Sequence, residues 1–174
     1  MIQTLADVVL VGLLCAAAWS DIRAHRVPNR LTMAGLVAAF ALRAPLGVAA
    51  LVSGLEGFAI ALAVAMLFFA LGAVGGGDAK LLAMVGAFLG LGPLPGALAY
   101  IVLLGAVMAV VAMARRGLLL LLFLNTMNLF RSKHLVARSG DVRTLETPGA
   151  QTIPYAVPIA AGTLMWWFGQ GVKL

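Results

Sequence analysis

Residues 51 to 74 carry one charged side chain, Glu56, in an otherwise apolar run. As a helix rising 1.5 Å per residue this run would be about 36 Å long, enough to cross the hydrocarbon core of a bilayer. It is one of several such runs, and charges fall almost wholly in the short segments between them. The hydrophobic fraction is 63% with a mean hydropathy of +1.08, against roughly 45–50% for a soluble domain. A soluble chain of 174 residues has too little interior to hide that surface. The fold class expected is an all-α integral membrane protein, built as a single polytopic domain over residues 1–174. The apolar content continues to Gly169, so one signal peptide or one anchor does not account for it.

The runs divide the chain in order. Met1 to Ser20 is the first span, with Asp7 near its start and Trp19 as an interfacial anchor. Asp21 to Arg30 is polar and basic, and Pro28-Asn29 favours an extended backbone followed by a fresh helix. Leu31 to Leu42 is a short span, extended to Ala44 if Arg43 snorkels, and Pro45-Leu46-Gly47 makes a turn. Leu51 to Val74 leads into three glycines and Asp78. Ala79 to Leu91 forms another short span, closed by the breaker Gly92-Pro93-Leu94-Pro95-Gly96. Ala97 to Ala114 is a clear helix, and Gly117 to Phe130 is too short to span and reads as an interfacial helix. Arg131 to Gln151 is a polar loop, and Thr152 to Gly169 is the last span.

About six spans place alternate loops on one side. The loops after the first, third and fifth hold Arg23, Arg26, Arg30, Lys80, Arg115, Arg116, Arg131, Lys133, Arg138 and Arg143, while the other side holds Arg43 and Lys173. This asymmetry puts the loops near 21–30, 75–80 and 115–151 in the cytosol and the N-terminus outside. Asp21 and Asp78, 57 positions apart, then share the cytosolic face.

A membrane-embedded carboxylate is expensive, which makes function its default reading. Two carboxyl groups side by side cannot both ionise and so share a proton. The ionised member can take a proton from water while the other donates to a scissile carbonyl, which hydrolyses a peptide bond without metal or covalent intermediate. Such a pair titrates as a unit. The glycines Gly75, Gly76 and Gly77 offer a backbone without side-chain bulk and with access to positive φ, against which an extended substrate can lie. Lys80 is placed to favour ionised Asp78 or to hold substrate backbone.

Trp19-Ser20-Asp21-Ile22-Arg23, continuing to Val27-Pro28-Asn29, resembles the first motif of the prepilin peptidases, or type IV leader peptidases. Gly75-Gly76-Gly77-Asp78-Ala79-Lys80-Leu81-Leu82 resembles their second, the GxGD signature, and Ile153 to Gly162 resembles a further family stretch. The resemblance covers the first span to about Gly96, plus the last span. GxGD alone is a weak signal; both acidic motifs with shared siding are a strong one. The resemblance implies a GxGD intramembrane aspartic endopeptidase in the bacterial inner membrane. It would cut a short basic leader from a prepilin at the cytosolic face, ahead of a hydrophobic helix, with Asp21 and Asp78 catalytic. Larger members carry a cysteine tetrad and N-methylate the new terminus; Cys15 is the only cysteine here, and the chain looks like the compact type serving Flp/Tad-like pili, without methyltransferase activity. Signal-peptide peptidases have a Tyr-Asp first motif, whereas Ser20 precedes Asp21.

Plainer readings stand beside these. A lone acid at a helix end is usually a solvated boundary residue, and Asp7 and Asp141 are read so. Glu56 lies near the outer side, in the interface or paired with Arg43. Lys80 can be only a topology anchor. His25 and His134 lack partners for a metal site, and no metal or other cofactor is expected. The basic cluster from Arg115 to Arg143 would repel a basic leader and suits anionic lipid; nothing suggests nucleic acid. Gly54, Gly57, Gly72, Gly86, Gly90 and Gly105 are explained by close helix packing. The rival functions are a small ion- or proton-coupled transporter, with the two acids as the ion site, and a non-catalytic pilus-assembly subunit.

Overall fold

The computed structural model describes residues 1–71, 74–115 and 155–169. The expected interfacial helix at 117–130, the polar loop at 131–151 and the first residues of the last span lie outside these. All regular structure among the described residues is helical: α1 (Ile2–Ala24), α2 (Asn29–Arg43), α3 (Val48–Ala70), α4 (Gly76–Leu89), α5 (Leu94–Arg115) and α6 (Ala156–Gly169), with a single 3₁₀ turn at Ala44–Leu46. Three of them, α1, α3 and the stretch Leu94–Ala112 of α5, are long and apolar enough to cross a membrane, and α6 is a shorter apolar helix.

The chain forms two compact units, Met1–Gly105 with Pro154–Leu174, and Ala106–Ile153. The second is represented among the described residues by the last turns of α5. In the first, α4 is the central element. Its residues Leu81, Leu82, Ala83, Met84, Val85, Gly86, Ala87 and Leu89 are all buried, with α1, α2, α3 and α6 packed against it. A short helix enclosed on every side needs no polar face.

The packing on α3 is by its smallest residues. Gly54, Gly57, Ala61 and Ala65 are buried, while Val52, Leu55, Ile60, Met66, Leu67 and Phe69 are exposed. A Cβ added at Gly57 would lie 2.9 Å from Gly90 Cα, and one at Gly86 would lie 2.5 Å from the Ala61 methyl. Such an arrangement suits lipid as solvent: bulky chains gain nothing by leaving hydrocarbon, so close backbone approach decides which face packs. The same device joins α5 to α6, where Gly162 backs onto Ile101 and Gly96 accommodates the Trp166 ring.

At its far end α4 is closed by a side chain from α2. Arg43 donates to the carbonyls of Ala87 (2.8 Å) and Phe88 (2.7 Å) in α4 and Ala50 (2.8 Å) in α3. The last carbonyls of a helix lack intrahelical partners, and a guanidinium supplies several donors at once. Gly90 ends the helix at φ +75°, and the Leu91 amide donates to Ser53 Oγ at 3.1 Å. The expected snorkelling of Arg43, or its pairing with Glu56, is replaced by this cap; Glu56 is exposed.

Three boundaries depart from expectation. The segment opened by Asp21 is not a loop from its start, because α1 continues to Ala24 and ends at His25, whose left-handed backbone (φ 48°) returns its amide to the Asp21 carbonyl. The glycine triplet is not a positive-φ hinge. Gly75 is extended at φ −77° and caps α4, whose first turn is Gly76-Gly77-Asp78. The breaker at 92–96 does not stop α4, which has already ended at Leu89 with Gly90 as its cap; α5 instead starts within it at Leu94, with Pro95 in the first turn, where its missing N–H has no helical role.

Candidate active site

The three stretches singled out in the sequence meet at one end of α4. Asp21 lies one turn before the end of α1, on the face turned inward, and is 4% exposed. Its Oδ2 accepts a hydrogen bond of 2.9 Å from the main-chain amide of Ala156, the first residue of α6. A helix-opening amide has no acceptor in its own helix, so the Asp21 carboxylate caps α6 from another element.

Asp78 stands in the first turn of α4, ahead of the apolar stretch that begins at Ala79. As the third helical residue it receives a hydrogen bond from the Gly75 amide, the returning half of a capping box. Burial, and then the negative charge of Asp21 beside it, push the Asp78 carboxyl up to about 6, against the opposing effect of the Gly75 amide. Taken alone, Asp78 would be an ordinary capping carboxylate. A second, buried carboxylate within its electrostatic reach is what separates it from one.

The loop between α1 and α2 docks on the glycine motif. Ser20 Oγ donates to the Arg26 carbonyl at 2.9 Å and closes the loop. Gly77 lies against Val27, where an added Cβ would sit 3.5 Å from the valine Cβ and carbonyl oxygen. Lys80 Nζ donates to Asn29 Oδ1 at 2.9 Å. This bond ties the two motifs together. Among the candidate substrate-binding positions, Gly75 and Gly77 are partly buried and Gly76 and Lys80 exposed. An added Cβ at Gly75 would meet Asp78 Oδ2 at 3.1 Å, so the missing side chain there leaves room for the carboxylate rather than freedom for φ.

Tyr155, immediately before α6, completes the cluster. Its hydroxyl lies on Gly105 of α5, which has no side chain to obstruct it. The sequence alone gives this stretch no part in the site. The signal was present in Pro154-Tyr155-Ala156-Val157-Pro158: prolines bracketing a helix start announce amides without helical acceptors. Nothing in the sequence says whose carboxylate meets them.

Chemically, the arrangement places two carboxyl groups, one mostly enclosed, between three helix ends. Among the described residues no group of three or more His, Cys, Asp or Glu gathers to hold a metal. Comparison with curated proteins and with solved structures gives no match. The model of the Type IV leader peptidase family matches residues 8–110, more than half the chain and spanning both acidic motifs, and the chain belongs to that family.

Proposed function

We propose that this protein is an intramembrane aspartic endopeptidase of the GxGD type that removes the short basic leader from prepilin precursors. Family membership makes it a prepilin-type peptidase in general terms. The observation carrying the finer reading is the meeting of Asp21, 4% exposed, with Asp78 at one end of α4. Both acids stand near helix ends rather than at mid-helix, which suits a membrane face better than the midplane site of a transporter.

In the mechanism, the two carboxyls hold one proton between them. The ionised member deprotonates a water as it attacks the scissile carbonyl, and the protonated member donates to the carbonyl oxygen. Collapse of the tetrahedral intermediate expels the amine, which takes the proton the dyad gained from water, while a hydroxyl of the intermediate gives its proton to the other carboxylate as the product carbonyl forms, so the dyad again holds one proton. Gly75, Gly76 and Gly77 leave the approach to Asp78 open to an extended substrate backbone. The remaining architecture belongs to the same proposal: about six spans in the bacterial inner membrane, N-terminus outside, the dyad facing the cytosol and anionic lipid around the basic loops.

The deciding experiment is cleavage of a co-expressed small prepilin by Asp21→Asn and Asp78→Asn, each checked for membrane insertion. Asparagine keeps an oxygen that can accept from Ala156 or Gly75, so the hydrogen bonds survive while ionisation does not. Both variants are expected to accumulate uncleaved prepilin. A well-inserted variant that still cuts removes its aspartate from the mechanism, and a wild type inactive on several prepilins favours the transporter or assembly reading.

A further inference from the structure

Beyond the two acids themselves, we propose that the main-chain amide of Ala156 is the positioning group of the dyad. It fixes Oδ2 of Asp21 so that the other carboxylate oxygen is the one presented to water; the proposal rests on the peptidase reading above. A carboxylate on a free helix surface rotates about two side-chain torsions. Asp21 is enclosed, and its Oδ2 is tied across 135 positions of sequence to an amide at 2.9 Å. Ala156 is fully buried, so water does not compete for that bond. The donor is also held from behind. Ile159 returns its amide to the Tyr155 carbonyl, Thr163 Oγ1 donates to the Ile159 carbonyl at 2.7 Å, and the Tyr155 ring is lodged over Gly105. The start of α6 is thus built into the bundle, and it sets the carboxylate rather than following it.

Aim matters because proton transfer requires the base within hydrogen-bond reach of the attacking water, and small misplacements of reacting groups lower rates steeply. A main-chain donor also escapes ordinary side-chain substitution. Only a residue without an N–H removes it, and proline suits this position because the first residue of a helix tolerates its ring.

The test uses the full-length protein in detergent micelles with a synthetic prepilin substrate, measuring kcat, KM and thermal unfolding for Ala156→Pro and Ala156→Gly. Removing the donor should lower kcat about tenfold or more, the equivalent of one lost charge-assisted hydrogen bond. KM should stay within about twofold, since aim rather than substrate binding is lost. Glycine keeps the N–H and should recover most of kcat. If the ring itself prevents folding, an ester in place of the Tyr155–Ala156 peptide bond removes the same hydrogen and no more. The proposal is overturned if the donor-free protein, folded, keeps kcat within about threefold, or if glycine is as damaging as proline. It then fails alone, with Asp21→Asn still inactive. A wild type that cuts no prepilin overturns it together with the peptidase reading.

Discussion

Replacing Arg43 by methionine tests whether the far end of α4 is held by a cation or merely flanked by one. The structure assigns the guanidinium three acceptors, the carbonyls of Ala87, Ala50 and Phe88 at 2.7–2.8 Å. Hydrogen bonds from charged donors contribute about 1.5–3 kcal/mol each. They share one side chain and are not additive, and Arg43 is only partly buried, so water can replace part of the loss. A net destabilisation of about 3 kcal/mol follows. For a chain of this size that is a fall of roughly 6–12 °C in Tm, read by thermal unfolding in micelles. Arg43→Lys should fall between, because one ammonium cannot reach three carbonyls in the same fork. The site lies at the opposite end of α4, about nine residues or roughly 14 Å away. Activity per folded molecule should therefore change little. A Tm within about 2 °C of wild type would refute the capping argument, and a loss of kcat at unchanged stability would refute the separation of the two ends.

Gly86→Val drives new carbons into the Ala61 methyl and the Gly57 backbone; backbone does not yield, so a loss of about 3 kcal/mol is expected, and unchanged micelle unfolding would contradict it. The raised Asp78 carboxyl fixes the sign of one pH limb: Asp78 keeps its proton below about 6 and loses it above, so kcat/KM of the free enzyme should decline as pH rises through that region. A rate flat to well above neutrality speaks against Asp78 as the proton donor. Lys80→Met removes one exposed bond to Asn29, worth about 0.5–1.5 kcal/mol, and should alter cleavage by no more than about fivefold; complete loss at normal insertion would place Lys80 on substrate.

The sequence by itself determined that the protein is helical and membrane-embedded, since long runs without charge admit no other partner for their backbone and side chains. It also marked Asp21 and Asp78, because each stands in an acidic motif at the edge of an apolar run and the two fall on the same side of the bilayer. Boundaries were less legible where polar residues find partners in other helices. Asp21 reads as the start of a loop, yet its carboxylate caps α6 and lets α1 run on to Ala24. Arg43 reads as a snorkelling boundary residue, yet it closes α4. Gly75 and Gly77 read as a hinge, and only the approach of Asp78 Oδ2 and Val27 shows that the missing side chains serve as space. Local chemistry announces an unsatisfied amide, carbonyl or carboxylate. Which distant group satisfies it is a property of packing, and packing here follows the small residues of α3, α4 and α5, whose pattern along the chain does not name the helix they will meet.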